Sequence, residues 1–297
     1  MTETLLSHKE AKATHRRGSG LRRERLAKRF IGGAILAIVL LIVLFPIYWM
    51  LVTAFDPPSL MYSTKPNLMP AKLTLSAFSR LFSEYPFATW IQNTLLVTAT
   101  STLVAVVLGV LAAYSLSRVR YPGRGTIGGL FFLVYLFPPT LLFVPIFVLL
   151  SGLGLTNSYF GLVGVYLTFT VPFCTWMLRA YLTSIPKELE EAATIDGASR
   201  LQAMVRVVLP LAAPGVAASA IFSFTLAWNE YLYAFILLNE TDRMTLAPGM
   251  TKLIMGDIFL WGMIMAGATL MSIPVLILYF SAQRFLVTGL TAGAVKG

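Results

Sequence analysis

Six long apolar segments, interrupted by polar ones, decide what this chain can fold into. They cover approximately residues 30–55, 89–116, 126–150, 159–177, 215–238 and 259–280, and a bilayer-spanning helix needs about 20 consecutive apolar residues. Of the 297 residues, 57% are hydrophobic and only 12% are charged, and the mean hydropathy is +0.76. This composition excludes a soluble enzyme, a disordered chain and a disulfide scaffold. The sequence therefore predicts an all-α membrane protein with six transmembrane helices.

The distribution of Lys and Arg residues predicts how these helices are oriented. Six spans place both termini on one side of the membrane, and the segments on that side hold 18 of the 23 Lys and Arg residues, against 5 on the other. Because cytoplasmic loops carry the excess of basic residues, we expect both termini to be cytoplasmic. Topology explains the positive charge, so no nucleic-acid partner is expected. Residues 1–29, with nine of these cations, form a basic cytoplasmic tail that orients the chain and could also bind anionic membrane lipid.

The polar segment between the fourth and fifth apolar runs, residues 184–210, has helix signals of its own. Pro186 suits a first helical turn, and Gly197 suits a left-handed stop. Ser199 and Gln202 have the spacing of a capping box, which predicts a second helix that ends at Pro210. The sequence therefore predicts two short helices outside the bilayer, joined by a sharp turn.

This segment resembles the EAA loop of ABC-importer permeases. That pattern is E-A-A, three residues, G, nine residues, I, any residue and L-P. The chain departs from it only in having Val207 where the pattern has Ile, and this keeps a β-branched apolar residue. The matching residues are Glu191, Ala192, Ala193, Gly197, Leu209 and Pro210. We call residues 184–210 the EAA-like loop.

The resemblance extends over nearly all of residues 30–297. Asn93-Thr94, Ala112-Ala113-Tyr114 with Arg118, and Trp228-Asn229-Glu230 look like the carbohydrate branch of these permeases, and residues 289–297 are similar to the tail of MalG-type subunits of maltose importers. The resemblance implies a type I importer fold in a bacterial or archaeal cytoplasmic membrane. It divides the chain into a first helix and extracytoplasmic loop at 30–88, a core permease domain at 89–285 and a cytoplasmic C-terminal tail at 286–297.

The resemblance also implies a function and a set of partners. In such importers the EAA loop forms a coupling helix that sits in a groove on a cytoplasmic ATPase, and closure of two ATPases rocks the helix bundles. The partners would be a second homologous permease, two ATPase subunits and a solute-binding protein, which would dock on the outer loop 239–257. The residues assigned to the ATPase contact are Glu191, Ala192, Ala193, Asp196, Gly197, Leu209 and Pro210. Residues 293–297 are a weaker candidate for a second contact.

The chain has no chemistry of its own that would make it an enzyme. It lacks a G-x-x-x-x-G-K-[ST] phosphate loop, and it has neither a metal-ligand cluster nor a nucleophile paired with a histidine. We therefore expect no metal and no cofactor in this chain. The resemblance implies that ATP and Mg²⁺ are bound by the partner ATPases.

One carboxylate, Glu230, falls inside an apolar segment, where acidic residues are costly and often functional. Aromatic rings beside hydrogen-bonding groups suit a sugar, so the candidate residues for the translocation pathway are Trp228, Asn229, Glu230, Tyr233, Gln92 and Asn93. Two other interpretations stay open. Glu230 could be hydrogen-bonded to a neighbouring helix near an aromatic belt, and Gln92 and Asn93 could form interhelical hydrogen bonds.

The resulting hypothesis is one translocation subunit of an ABC importer for a sugar or sugar-like solute. The same family also carries glycerol phosphodiesters and polyols, so these remain alternative substrates. A secondary transporter would need inverted repeats and usually embedded charge pairs, and the fifth segment offers one carboxylate without a partner. A non-transporting membrane scaffold is the other alternative.

Overall fold

The protein is a bundle of long apolar helices, as seen in a computed structural model. The structure describes the backbone of residues 2–58, 69, 72–256 and 258–294. It describes the side chains of residues 28–58, 69, 72–256, 258–281 and 283. The helices are α1 (Thr2–Phe55), α2 (Ser76–Glu84), α3 (Phe87–Arg118), α4 (Arg124–Leu136), α5 (Phe143–Gly152), α6 (Tyr159–Ser184), α7 (Glu188–Ile195), α8 (Arg200–Ala203), α9 (Leu209–Trp228), α10 (Leu232–Leu237), α11 (Leu246–Met250) and α12 (Trp261–Ala294). Strands β1 (Ile254–Met255) and β2 (Ile258–Phe259) pair antiparallel.

Six membrane spans are consistent with this architecture. In the part of the chain that the structure describes, five helical segments are long and apolar enough to cross a bilayer, and α4 with α5 makes a sixth if the bent pair is one span. The two halves of that pair meet at 87°. Pro138 and Pro139 lie at the break, where a missing N–H and the restriction on the preceding residue interrupt the helix. The pair of prolines therefore accounts for the sharp corner between α4 and α5.

Helix α3 is the central element of the bundle. It packs along α6 and α9, while α1 packs on α12. At one point α3 and α6 approach so closely that a Cβ added to Gly109 would lie 2.5 Å from Cys174 Cβ. With 32 residues, α3 is about 48 Å long, which exceeds the hydrocarbon thickness of about 30 Å. Its two ends therefore contact the two opposite groups of loops.

The fifth span differs from the prediction at both ends. Residues 200–228 form one continuous helical segment, in which α8 leads through a π-helical turn, Met204–Val208, into α9. The prediction that the helix ends at Pro210 is wrong. The helix continues through Pro210 because the preceding turn is widened: Leu209 N donates to Met204 O, five residues back. The apolar run to residue 238 is in turn broken after Trp228, and α10 is a separate short helix.

The proposed tails are only partly described. The backbone of residues 2–29 is helical and continuous with the first span, and helix α12 extends to Ala294. The side chains of 2–27 and 284–294 and residues 295–297 lie outside the description, so the suggested contact at 293–297 and the boundaries of both tails stay predictions.

Candidate functional site: the EAA-like loop

The EAA-like loop forms the predicted helix–turn–helix at the end of the bundle where α3 and α6 end. Helix α7 begins after Lys187, so Pro186 lies just before the helix rather than in its first turn. Acidic residues fill its first turn, which complements the positive end of the helix dipole. The helix has no buried residue. It therefore stands on the surface of the subunit, attached to the bundle along one side only.

The turn after α7 has the geometry that its glycine predicted. Gly197 has a φ of 90°, a conformation that costs a residue with a Cβ about 1–2 kcal/mol. Two hydrogen bonds close the turn as a Schellman motif: Ala198 N donates to Ala193 O at 3.0 Å, and Gly197 N donates to Thr194 O at 3.1 Å. A Cβ on Gly197 would meet no atom within 4 Å. The requirement for glycine is thus a requirement on the backbone and not on space.

The second helix starts with the predicted capping box. Ser199 Oγ accepts from Gln202 N at 3.3 Å, and Gln202 Oε1 accepts from Ser199 N at 2.9 Å. Beyond it, Met204 and Val208 are buried in the bundle while Val205 is exposed. These reciprocal bonds fix the direction in which the chain leaves the turn and enters α9.

The seven residues assigned to the ATPase contact lie in this loop but differ in exposure. Glu191, Ala192, Asp196 and Gly197 are exposed, and Ala193 is half-buried. Leu209 is half-buried and Pro210 exposed in the first turn of α9. Ile195, at the end of α7, exposes 86% of its surface. The four exposed residues and Ile195 thus form one accessible surface. Leu209 and Pro210 belong to α9, which leads away from this surface.

Glu190 points the other way, towards the bundle. Its carboxylate accepts a hydrogen bond from the Tyr114 hydroxyl, and Oε2 lies 3.4 Å from Arg118 Nε. The side chains of Arg118 and Glu190 are only 4% and 14% exposed. This cluster was not among the predicted site residues. No spacing rule connects positions 114 and 118 with position 190. The sequence signal that could have found this cluster is the arginine at the end of a span, because such a charge needs a partner.

The candidate pathway residues fall into separate environments at the other end of the bundle. Trp228 is buried, and its Nε1 donates to Met271 O at 3.1 Å. Asn229 and Gln92 are exposed, whereas Asn93 is buried. Asn93 Nδ2 donates to the backbone oxygens of Asp242 and Met244, at 2.8 Å each. Asn93 thus fastens the loop that follows α10 to the first turns of α3.

Glu230 lies in the break between α9 and α10 and not inside a span helix. Its two carboxylate oxygens accept from Tyr233 N at 2.9 Å and Ala234 N at 3.1 Å. Tyr166 on α6 donates its hydroxyl to the same carboxylate at 2.9 Å. Glu230 therefore caps the N-terminus of α10, where free N–H groups need acceptors, and connects it to α6.

Tyr233 joins this cap to the corner between α4 and α5. Its hydroxyl donates to Pro139 O at 2.5 Å. The ring lines a cavity of about 270 Å³ together with Tyr135, Thr168 and Phe169, among other residues. Of the six pathway candidates, Tyr233 thus lines a cavity with mostly apolar walls, to which Tyr135 and Thr168 add hydroxyl groups.

Known proteins resemble this chain over most of its length. The family described as "Binding-protein-dependent transport system inner membrane component" matches residues 105–291. The chain is 40% identical to an inner membrane ABC transporter permease protein, YcjP, of Escherichia coli K12, over 88% of this chain and 94% of that protein. It is 35% identical to the trehalose/maltose transport system permease protein MalG of Thermococcus litoralis, over 93% of this chain and 99% of that protein.

Among solved structures, a bacterial ABC transporter involved in the import of the acidic polysaccharide alginate is similar to this chain. The TM-score is 0.74 and the sequence identity 25%, and the match covers 86% of this chain and 95% of that chain. Over the matched part of the chain, the fold is therefore that of a chain in a known ABC transporter.

Proposed function

Because the chain belongs to the family of binding-protein-dependent transport system inner membrane components, we propose that it is one translocation subunit of an ATP-driven importer for a sugar or sugar-like solute. It crosses the cytoplasmic membrane several times, as its family and its apolar helices require. We propose both termini and the EAA-like loop to be cytoplasmic. The charge asymmetry supports this orientation, as does the placement of the EAA-like loop and the α10–α12 connection at opposite ends of α3.

The observation that carries this proposal is the exposed surface of α7. A short helix that presents Glu191, Ala192 and a largely exposed Ile195 outside the apolar bundle leaves apolar area in water, and such area marks a surface that another protein covers. The sharp turn at Gly197 and the capping box at Ser199 hold this helix in one orientation. A surface that is stiff in this way can pass on the movement of an ATPase.

The partners follow from this assignment. The chain would work with a second permease, two ATPase subunits that bind ATP and Mg²⁺, and an extracytoplasmic solute-binding protein. The chain itself would bind no nucleotide and catalyse no reaction. One related structure shows an alginate ABC transporter in complex with an alginate pentasaccharide-bound periplasmic protein, which supports this kind of assembly.

The relatives support a carbohydrate as the solute. Their names refer to diacetylchitobiose in Streptomyces coelicolor, to trehalose and maltose in Thermococcus litoralis and to sulfoquinovosyl glycerol in Agrobacterium fabrum. The cavity beside Tyr233 supports a role for that residue in the pathway, because aromatic faces and hydroxyl groups suit the two kinds of surface that a sugar presents. We propose the same role for Asn229, Glu230 and Gln92, and a supporting one for Trp228 and Asn93.

Reconstitution tests the proposed function. The four kinds of subunit are assembled in proteoliposomes, and uptake of maltose, trehalose, diacetylchitobiose and a glycerol phosphodiester is measured with and without internal ATP. We expect ATP-dependent uptake of one sugar and faster ATP hydrolysis when the binding protein and that sugar are present. An importer that contains the Gly197→Leu variant should hydrolyse ATP without taking up the sugar. Uptake that persists without ATP and follows an ion gradient would show a secondary transporter, and a lack of any ATPase partner would show a scaffold.

A further inference from the structure

The inner end of α3 carries a buried arginine that holds three structural elements together. Arg118 Nη2 donates to Leu182 O at 2.9 Å and to Ile185 O at 2.7 Å, two carbonyl groups at the end of α6. Its Nε lies 3.4 Å from Glu190 Oε2 on α7. One guanidinium group therefore touches the ends of two spans and the side of the exposed helix.

Two further groups complete the cluster. The Tyr114 hydroxyl, one turn before Arg118 on α3, donates to Glu190 Oε1 and lies 3.4 Å from Arg200 O at the start of α8. Behind these residues is a polar cavity of about 210 Å³, lined by Arg118, Lys187, Glu190, Glu191, Thr194 and Arg200. Glu190 is thus held from both sides, whereas the next residue, Glu191, is exposed.

The chemistry of this cluster requires these residue types. A planar guanidinium has donors at fixed angles, so it can hydrogen-bond to two carbonyls while its charge lies beside a carboxylate, which a lysine ammonium on a flexible stem does less well. Both charges are nearly buried, so removing either one leaves the other uncompensated, and such a loss is severe. The cluster therefore specifies where α7 stands relative to α3 and α6.

We propose that Arg118 and Tyr114 are positioning residues that connect α7 to the membrane spans through Glu190, so that a displacement of α7 is transmitted to α3 and α6 together. Two adjacent glutamates then have different roles: Glu191 faces the ATPase, and Glu190 faces the bundle. The anchoring contact is independent of any partner, while its role in transmitting movement rests on the proposed function.

The anchoring contact is tested on the full-length chain in lipid nanodiscs by hydrogen–deuterium exchange of residues 188–195. Glu190→Gln and Arg118→Gln should raise the exchange rate of these amides by about tenfold or more, because each variant leaves the opposite charge of a nearly buried ion pair uncompensated. Glu188→Gln is the matched control, since it removes an exposed carboxylate from the first turn of the same helix, and its effect on the helix dipole should raise the rate by at most about fivefold. Arg118→Lys keeps the charge without the fork and should give an intermediate rate.

Transmission is tested in the complex assembled with its ATPases. A cysteine replaces Val144, which is exposed and lines a cavity together with Asn239 and Lys252 of the α10–α12 connection, while the natural Cys174 is buried. Mg-ATP with vanadate should change the rate at which a maleimide labels position 144. In Glu190→Gln we expect ATP hydrolysis to persist but the labelling change to fall at least severalfold. A subunit that is merely destabilised would lose both together.

The outcomes separate the two proposals. The inference is overturned if residues 188–195 exchange no faster in Glu190→Gln and Arg118→Gln than in Glu188→Gln, or if Glu190→Gln keeps the full ATP-driven change in labelling. If ATP has no effect on labelling of the Val144→Cys chain that keeps Glu190, the proposed importer function fails, and the exchange experiment still decides whether Arg118 anchors α7.

Discussion

Replacement of Asn93 by alanine should release the loop that follows α10 from the outer end of α3. Four hydrogen bonds now hold residues 241–246 to this end. Asn93 supplies two of them, to Asp242 O and Met244 O at 2.8 Å each. Trp90 Nε1 donates to Thr241 O at 2.7 Å, and Thr94 Oγ1 accepts from Leu246 N at 2.7 Å.

The magnitude follows from the number and burial of these bonds. Asn93 is 7% exposed, so alanine would remove two bonds worth about 1 kcal/mol each and leave two poorly solvated carbonyl groups without a donor, for a total of about 2–4 kcal/mol. At 1.4 kcal/mol for each factor of ten, amide exchange of residues 241–246 should accelerate by about 30-fold to about 700-fold. Hydrogen–deuterium exchange of the chain in nanodiscs measures this directly.

The neighbouring Gln92 provides the matched control. It is exposed on the same turn of α3, so Gln92→Ala should leave the exchange of residues 241–246 within about twofold of the original. Asn93→Asp is a second test, because a carboxylate has no N–H to donate and should loosen the loop at least as much as alanine. If Asn93→Ala and Gln92→Ala give the same exchange rate, the loop is not held in the way described.

Three further predictions concern the turn after α7, the end of the first span and the break in the fifth. Gly197→Ala should reduce uptake per ATP hydrolysed more than Gly197→Asn, because asparagine tolerates the left-handed backbone better; equal losses would place the effect elsewhere. Asp56 follows the first span, and burial raises the pKa of its carboxyl group. The folded state then disfavours the charged carboxylate, so the stability of the fold falls as the pH rises from the ordinary pKa through the raised one. Asp56→Asn should therefore raise the melting temperature at pH 7 but not at pH 3. A lower melting temperature of the variant at pH 7 would contradict this. Glu230→Gln should reduce uptake with the complex still assembled, and it should also lower the melting temperature by a few degrees, since an amide supplies one acceptor where the carboxylate accepts three bonds; normal uptake kinetics would argue against a pathway role, and an unchanged melting temperature against the cap.

The parts of the fold that depend on local chemistry could be predicted from the sequence. The second apolar run, predicted at 89–116, corresponds to Phe87–Arg118 in the structure, because a continuous apolar stretch flanked by polar residues has only one helical solution in a bilayer. The turn at Gly197 and the capping box at Ser199 could also be predicted, because their signals are local. Each depends on atoms within a few residues of one another.

Features that depend on contacts between distant segments were missed or misplaced. The apolar pattern resumes at Leu232 after only three polar residues, so averaged hydropathy could not show that the helix ends at Trp228, where Glu230 accepts hydrogen bonds from α10 and α6. Pro210 was wrongly predicted to end a helix, because a widened turn before a proline has no signature in the apolar pattern. The Arg118–Glu190 pair joins residues 72 positions apart in sequence, and only the packing of α3 against α6 brings them together.

If an ATPase covers the surface of α7 in the assembled importer, a crosslinker placed on that helix should capture the ATPase. A photoreactive amino acid replaces Ala192, which is exposed on α7, in cells that hold the complete importer, and the adduct is identified by mass spectrometry. We predict a covalent adduct with a protein that carries a G-x-x-x-x-G-K-[ST] nucleotide-binding loop. An adduct with the extracytoplasmic binding protein would contradict this proposal. The absence of any adduct would also contradict it, provided that the same photoreactive residue reacts with a small water-soluble reagent.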